Sequence, residues 1–395
     1  MKAIHGTVER GFERVRDGFA AGEAADPGGA QLCVYRHGKK VVDIWTGEDP
    51  VKGRPFDEGT ITVLMSCTKA AVAVCANMLI ERGLLDPDAP VARYWPEFAA
   101  GGKADVRVWQ LLAHSAGLMG YDPESRVGAQ EMYDPIRSAE AIARMEPLWK
   151  PGTASLYHFA TYGVLVGELV RRVTGKTVGR YFAAEVARPL DLDLWIGLPP
   201  SEEHRVAAHF RPNPRAMSEK DWQALFSGLG ADPSTRLLRT AIHTFVVLDE
   251  VIAFANTPEG HALELPAGNG IGNARSLARM YAACIGDVDG VRLFSPATME
   301  RARTCLTDAL PAPDGFVRFR GNSPQRFGLG FELPRDAEPM LGPGSFGHAG
   351  AGGRMGFAHP ESGFAVGFVC SAMLWDDIHP DDRWMGWTRA LNELL

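Results

Sequence analysis

The chain lacks several features that would assign it to a membrane, secreted or nucleic-acid-binding class. It has no run of about 18 consecutive apolar residues, so no membrane span is expected. Its first ten residues contain no apolar run, which argues against a secretory signal. The 41 lysines and arginines form no long cluster and the net charge is −7, so no nucleic-acid partner is predicted.

Motifs for metals, disulfides and dinucleotides are also missing. The six cysteines are dispersed without a Cys-x-x-Cys pair, mostly among apolar residues, which indicates reduced, buried thiols in a cytoplasmic protein without excluding disulfides. His204 and His209 belong to no His-Glu-x-x-His pattern, so a zinc site is not predicted. Gly350-x-Gly352 is followed by Met355 where a dinucleotide motif needs glycine or alanine.

The Gly-x-Ser-x-Gly elbow of many serine hydrolases does not occur anywhere in the chain. The nearest approach has Ala113 in place of the first glycine. We therefore interpret His114 and Ser115 as part of a structural turn and not as members of a catalytic triad.

The sequence does contain one Ser-x-x-Lys pair, Ser66 and Lys69, at the head of an alanine-rich and aliphatic run. This run has no glycine or proline before Gly83, and it predicts a helix over 66–82 that is buried on nearly every side. Positions i and i+3 of a helix are neighbours, so the two side chains share one face. A lysine is costly in such a helix and has the wrong charge for its N-terminus, which favours a catalytic role.

This pair suits nucleophilic catalysis. A serine hydroxyl is a poor nucleophile until a base removes its proton, and a lysine amine can be that base when burial lowers its pKa. Free backbone N–H groups at the start of a helix can stabilise negative charge on a substrate. Such a site also needs a proton relay to the leaving group and a second oxyanion donor.

Two segments are candidates for these further roles. Tyr157 follows a Pro-Gly loop and precedes a helix; a phenol in this place can shuttle a proton, or it can be an ordinary half-buried tyrosine. The small residues of 347–353 would let a substrate approach an edge strand closely, or they form a glycine-rich hairpin. Trp375, Asp376 and Asp377, after the last predicted strand, either border the pocket or form a surface loop.

The order of predicted elements indicates an α+β fold. Apolar spacing predicts a helix over residues 4–21, and two strands over 30–35 and 40–46 follow it. The middle of the chain is mostly helical, with 199–270 interpreted as irregular cover with helices. The last hundred residues return to strand patterns and close with a helix. We therefore expect an antiparallel sheet built from both chain termini and flanked by helices, with an inserted, mostly helical domain. The predicted domains are 1–75 with 270–395, and 76–269.

Taken together, the motifs resemble those of serine hydrolases related to class C β-lactamases and penicillin-binding proteins, and most closely those of family VIII carboxylesterases. The matches follow one another in order: residues 66–69 match SxxK, 111–118 match LLxHxSGL, 151–157 match PGT followed by the motif tyrosine, 270–279 match a glycine-led helix start, 327–331 match FGLGF, and 347–350 match the third motif, HxG. The resemblance covers almost the whole chain and implies the β-lactamase/transpeptidase-like fold.

The resemblance also implies catalytic roles. Ser66 would be acylated, and Lys69 and Tyr157 would share the general-base and general-acid work. The backbone N–H groups of Ser66 and Ala351 would form the oxyanion hole. No metal or organic cofactor is implied.

The same resemblance places substrate contacts at His348, Gly350 and Phe159, and two of these depart from the β-lactamase pattern. The second motif, Tyr-x-Asn in β-lactamases, here ends in Phe159, and the third motif has His348 in place of a lysine. Both changes weaken recognition of an anionic amide and suit a neutral ester.

The predicted function is therefore hydrolysis of small carboxylic esters with short acyl chains. The alternatives are a β-lactamase, a D-amino-acid peptidase or amidase, an acyltransferase, and a non-catalytic penicillin-binding-like protein. The sequence predicts no oligomeric state.

Overall fold

The chain forms a large antiparallel sheet with helices on both faces. A long, mostly helical insertion separates the N-terminal strands of this sheet from the C-terminal ones. The computed structural model describes residues 2–212, 217–313, 325–375 and 379–395. The α-helices are α1 (Glu13–Gly22), α2 (Thr68–Glu81), α3 (Val108–Leu112), α4 (Ala129–Met132), α5 (Pro135–Arg144), α6 (Thr161–Thr174), α7 (Val178–Phe182), α8 (Glu219–Gly228), α9 (Arg236–Phe254), α10 (Pro258–Ala262), α11 (Ala274–Ile285), α12 (Pro296–Arg303) and α13 (Asp382–Asn392). Short 3₁₀ turns cover Met65–Cys67, Val91–Arg93, Pro96–Ala99, Pro123–Ser125, Pro200–Arg205 and Pro360–Ser362, and a π-helical turn covers Ala183–Ala187.

The strands come from both ends of the chain, with a few short ones between. They are β1 (His5–Val8), β2 (Ala30–Arg36), β3 (Lys39–Thr46), β4 (Glu48–Asp49), β5 (Arg54–Pro55), β6 (Ile61–Val63), β7 (Leu194–Trp195), β8 (Val206–Ala207), β9 (Ile271–Gly272), β10 (Arg326–Phe327), β11 (Glu332–Leu333), β12 (Phe346–Gly350), β13 (Arg354–His359) and β14 (Phe364–Cys370). Within the described residues the large sheet has the order β1-β3-β2-β14-β13-β12-β11-β10, with antiparallel neighbours throughout. The predicted α+β fold, with a sheet built from both termini, is confirmed.

The predicted helix over 4–21 is wrong in its first half. Residues His5–Val8 form the edge strand β1, which pairs with β3 so that His5 lies opposite Trp45. Helix α1 begins only at Glu13. Gly6 has φ +105° and Gly11 has φ +97°, a conformation that a continuous helix does not allow. The apolar residues at helical spacing in 4–21 therefore belong to two elements, the strand β1 and the helix α1.

Each face of the large sheet is covered by helices. On one face α1 and the C-terminal α13 pack together, and Phe19, Trp384 and Trp387 are buried against sheet residues such as Phe368. On the other face α11 packs across β2, β13 and β14, and α2 continues this core toward the inserted helices. Every residue of α2 from Thr68 to Leu79 is buried, as its composition predicted. Burying each large apolar side chain contributes roughly 1.5–3 kcal/mol.

In a second, small sheet, strands of the insertion pair with β6, the strand that precedes α2. Its strand order is β7-β9-β6-β8, with β6 parallel to β8 and antiparallel to β9. The proposed domain boundary after residue 75 falls inside α2, which is continuous from Thr68 to Glu81. The division into two domains stays a prediction. Of the helices described, none combines the length and apolar character that a bilayer crossing requires.

Candidate active site

Ser66 lies in a sharp turn between β6 and α2. The preceding residue, Met65, has φ +49°, a left-handed conformation that is unfavourable for a side chain of this size. Thr68 fixes the turn, because its hydroxyl donates to Met65 O at 2.6 Å and accepts from the N–H of Gly270 at 2.8 Å. This turn, residues 65–67, presents Ser66 at the N-terminal end of a buried helix.

Lys69 lies directly behind Ser66. Its Nζ is 3.1 Å from Ser66 Oγ and donates to the carbonyl of Ala267 at 2.6 Å. The side chain is buried, with 1% of its surface exposed, and Nζ is 4.9 Å from the centroid of the Tyr157 ring. The structure thus brings together the three residues that the motifs predicted as catalytic.

The carbonyl that binds Lys69 belongs to a loop organised by Asn269. The amide of Asn269 donates to Gly260 O at 2.9 Å and Leu263 O at 2.7 Å, and its oxygen accepts from Leu265 N at 2.8 Å. These contacts fix the position of Ala267. The sequence analysis missed this loop, and its only signal was an asparagine between two glycines.

Tyr157 is buried in a group of aromatic rings and is only 3% exposed. Its ring is parallel to that of Phe327 at 6.0 Å, meets Phe159 edge-on at 4.7 Å, and is 4.9 Å from His114. This environment differs from that of an ordinary half-buried tyrosine. It holds the phenol rigidly beside Lys69.

Two neutral histidines support Tyr157 from behind. His114, in a turn with φ +56°, accepts at Nδ1 from the backbone N–H of His158 at 3.0 Å. His158 accepts at Nε2 from Leu118 N at 3.1 Å, so its Nδ1–H donates to Leu156 O at 2.7 Å. Burial lowers the pKa of His158 to about 4, and burial together with nearby positive charge holds the pKa of His114 well below its ordinary value. Both imidazoles therefore stay neutral near pH 7.

The glycine-rich segment predicted as the third motif forms β12 and the turn after it. A Cβ on Gly350 would lie 2.5 Å from Leu64 O and 3.2 Å from Cys67 Sγ, so glycine lets β12 pack against the turn at residues 65–67. Cys67 Sγ also donates to the carbonyl of His348 at 3.1 Å. Gly350 is thus placed behind Ser66.

The turn after β12, residues 351–353, is held by donors from the protein interior. Arg354 donates to Ala351 O at 3.0 Å, Arg383 donates to Gly352 O at 2.6 Å, and Trp384 donates to Gly353 O at 2.9 Å. All three donor side chains are buried. Because the carbonyls of this turn face inward, its conformation is tightly defined. Sequence reasoning missed these donors; the signal for Arg354 was a charged residue at the start of an otherwise uncharged strand.

His348 is buried beneath this turn and is 1% exposed. Its Nδ1 is 2.6 Å from Ala349 O and 3.2 Å from Glu332 Oε2. Glu332 also accepts from the backbone N–H of Ala349 at 2.8 Å. Sequence reasoning missed Glu332, although an acidic residue in the apolar run of 327–333 was a signal.

Ser66 opens onto two cavities. One has a volume of about 880 Å³ and is mostly apolar, and the other has about 790 Å³ and includes Tyr157, Arg211 and Glu338 in its wall. Both volumes include the open mouths. Ser66, Phe159 and Ala351 line both cavities.

The remaining predicted substrate contacts differ in whether they line these cavities. Among the described residues, the walls of the two cavities include neither His348 nor Gly350. Trp375 lines the polar cavity, whereas Asp376 and Asp377 lie outside the described residues.

Comparisons with known proteins agree with this geometry. A family model described as Beta-lactamase matches residues 19–386. The Esterase/beta-lactamase LipL of Mycobacterium tuberculosis is 34% identical over 359 residues, which cover 88% of this chain and 78% of the relative. A crystal structure of a family VIII carboxylesterase superposes with a TM-score of 0.83 at 32% identity, over 100% of both chains. A penicillin-binding protein homolog from Caulobacter crescentus superposes with a TM-score of 0.79, also at 32% identity over 100% of both chains.

The fold and these similarities define an enzyme of the β-lactamase and esterase superfamily, a serine hydrolase by class. The chain belongs to the Beta-lactamase family, whose model covers nearly its whole length. The resemblance seen in the motifs is confirmed.

Proposed function

We propose that the protein hydrolyses carboxylic esters through a covalent acyl-enzyme on Ser66. The observation that carries this proposal is the distance of 3.1 Å between Ser66 Oγ and the buried amine of Lys69, at the junction of two cavities. A hydroxyl at hydrogen-bond distance from a base is the arrangement that nucleophilic catalysis requires. Similar proteins that are described as esterases support the choice of substrate.

In the acylation step, Ser66 Oγ attacks the ester carbonyl carbon while its proton passes to Lys69 Nζ. The backbone N–H groups of Ser66 and Ala351 would stabilise the oxyanion of the tetrahedral intermediate. The bond between the carbonyl carbon and the alcohol oxygen then breaks. Tyr157 would deliver the proton to the departing oxygen and be reprotonated through Lys69.

In the deacylation step, a water molecule attacks the acyl-enzyme carbonyl. Its proton passes through the same pair of groups to Ser66 Oγ, so the acid is released and the enzyme returns to its starting state. No further reactant is needed. In an acyltransferase, a second alcohol would take the place of the water.

Two features favour esters over β-lactam amides. Phe159 stands where an asparagine would hydrogen-bond an amide, and its ring packs on Tyr157 at 4.7 Å. His348, in the position of the family's lysine, is buried and its Nδ1 contacts Ala349 O and Glu332. It does not offer an exposed cation to a substrate carboxylate.

One observation favours β-lactam hydrolysis as a second candidate. Arg211 is in the wall of the polar cavity and keeps 39% of its side chain exposed beside Asp249. An exposed guanidinium can bind a carboxylate. The description of the M. tuberculosis relative names both activities.

The test compares Ser66→Ala with Ser227→Ala, a serine exposed on α8. We expect Ser66→Ala to lower kcat on p-nitrophenyl butyrate by at least about 10³-fold and to abolish labelling by a fluorophosphonate, while the far-UV spectrum is unchanged. Ser227→Ala should behave as wild type. Undiminished turnover by Ser66→Ala would refute the proposal, and faster turnover of a cephalosporin than of the ester would favour the second candidate.

A further inference from the structure

The two cavities at Ser66 have opposite chemical character. The apolar one is walled by aliphatic side chains from three helices: Met132 of α4, Val164 of α6, and Leu248, Val251 and Ile252 of α9. The polar one contains Arg211, Glu332, Glu338 and the Tyr157 phenol. An ester bound at Ser66 would therefore have both an apolar and a polar cavity next to its carbonyl.

Apart from Ser66 at its end, the polar residues in the wall of the apolar cavity offer a ligand few polar atoms. The hydroxyl of Tyr121 is buried, and Glu264 and Asn269 are bonded to other parts of the protein. Glu264 accepts from the Thr177 hydroxyl at 2.8 Å and from Gly179 N at 3.0 Å, at the start of α7. The Asn269 amide is bonded to the backbone of its own loop. The cavity thus presents a ligand with hydrocarbon surface, and it suits a group that carries no hydrogen-bonding atoms.

The position of Tyr157 assigns the two halves of the ester. On the proposed function, on which this inference rests, Tyr157 protonates the departing alcohol oxygen. A proton donor has to be within hydrogen-bond reach of that oxygen, and Tyr157 lines the polar cavity. The alcohol therefore enters the polar cavity, and the acyl chain is directed to the apolar one.

We propose that the apolar cavity selects esters with unbranched acyl chains longer than butyryl, in the range from hexanoyl to octanoyl. The wall takes apolar side chains from α4, α6 and α9 as well as from the loops beside Ser66, and this is more hydrocarbon surface than the short butyryl chain can cover. Each further methylene that is buried should raise kcat/KM by about fourfold. This differs from the short-chain preference expected from the sequence.

The experiment measures kcat/KM for p-nitrophenyl esters from acetate to decanoate, below their critical micelle concentrations. Wild type should gain on the order of 10²-fold between butyrate and octanoate. Val251→Phe, a partly exposed position in the cavity wall, should lower octanoate hydrolysis at least tenfold and leave acetate within about twofold. Val246→Phe, the same substitution on α9 outside the cavity wall, should leave the whole series unchanged.

Further outcomes keep the inference separate from the proposed function. If Val251→Phe does not fold, Leu248→Ala replaces it and should move the optimum to a longer chain. An optimum at acetate or butyrate in wild type, or a Val251→Phe profile identical to wild type, overturns the inference while ester hydrolysis stands. If no ester is turned over, the proposed function fails. Calorimetry with octanoate and acetate then decides whether the apolar cavity binds an acyl chain. Tighter octanoate binding that Val251→Phe removes supports an acyl-chain site, and equal binding overturns it.

Discussion

At the scale of single residues, the proposed proton path consists of one phenol and one amine that lie in contact. Tyr157 is packed between Phe327, Phe159 and His114, and its ring contacts the Lys69 amine. A side chain held so rigidly has lost its rotational freedom before the substrate arrives. Preorganisation of this kind lowers the barrier to proton transfer, because no rearrangement is needed in the transition state.

We predict that Tyr157→Phe slows hydrolysis of an ethyl ester by on the order of 10²-fold or more but slows a p-nitrophenyl ester much less. The physical reason is that p-nitrophenolate departs without a proton, whereas ethoxide does not. The measurement is kcat/KM for octanoyl esters of the two alcohols. Equal losses on both esters would mean that the phenol does not protonate the leaving group.

Tyr162→Phe is the matched control for this prediction. Tyr162 is buried and stacks on His114 at 4.8 Å, and among the described residues its hydroxyl has no hydrogen-bond partner. It lines neither of the two cavities. Removing its hydroxyl should therefore leave both esters unaffected.

The contacts at this site are of two kinds, local ones within a helical segment and long-range ones between distant parts of the chain. Ser66 and Lys69 are three positions apart on one helical segment, so local periodicity was sufficient to predict that they meet. The Ala267 carbonyl, Glu332 and Arg383 reach the site from distant parts of the chain. No local pattern determines such contacts, because they depend on how the sheet and the inserted loops pack.

At the scale of elements, the same distinction separates the helices. The prediction for α2 was right because nearly every one of its positions is apolar and buried. Helix α9 was not recognised within 199–270, although Leu237, Leu238, Ala241 and Ile242 repeat at helical spacing on its buried side. Its other face carries His243, Asp249 and Glu250, and this mixture obscured the period. The wall of the apolar cavity was therefore not predicted from the sequence.

The turn at residues 351–353 contains Ala351, the proposed second oxyanion donor. Gly352 has φ +84°, and a Cβ there would lie 2.6 Å from Met373 Cβ and 2.7 Å from Arg354 Nη1. Any side chain therefore displaces the turn from the donors that hold it. Gly342 has almost the same backbone angle, φ +85°, but a Cβ there has nothing within 4 Å among the described atoms.

We predict that Gly352→Ala lowers kcat by on the order of 10²-fold, while Gly342→Ala leaves kcat unchanged. Both variants should lose about 1 kcal/mol of stability from the left-handed backbone alone. The comparison requires kcat and urea-unfolding curves for both. A Gly352→Ala enzyme that is destabilised but has full kcat would show that the turn does not position an oxyanion donor.

At the scale of the whole molecule, the two ends of the chain meet behind the active site. The buried guanidinium of Arg383, on α13, donates to Asp26 Oδ2 at 2.8 Å, to Ala372 O at 3.1 Å and to Gly352 O at 2.6 Å. It also pairs with Asp381 at 2.5 Å. The segment after α1, the exit of β14 and the turn at residues 351–353 thus share a single side chain.

A second ion pair also joins the chain ends, and the two pairs differ in exposure. Arg14 on α1 pairs with Glu393 at 2.5 Å, with 81% and 48% of their side chains exposed. Arg383 and Asp26 are 3% and 0% exposed. Exposed pairs contribute little to stability, because water already solvates both charges. Removing one partner of a buried pair leaves an uncompensated charge in the interior.

We predict that Arg383→Met destabilises the protein by roughly 3–5 kcal/mol, whereas Arg14→Met costs less than about 1 kcal/mol. Each substitution removes one arginine that bridges the two ends of the chain, so the comparison isolates the effect of burial on stability. The Arg383→Met protein that remains folded at low temperature should also show a lower kcat with little change in KM, because Gly352 O loses its donor. Urea unfolding and steady-state kinetics measure the two effects. If stability falls but kcat does not, Arg383 joins the chain ends without positioning the active site.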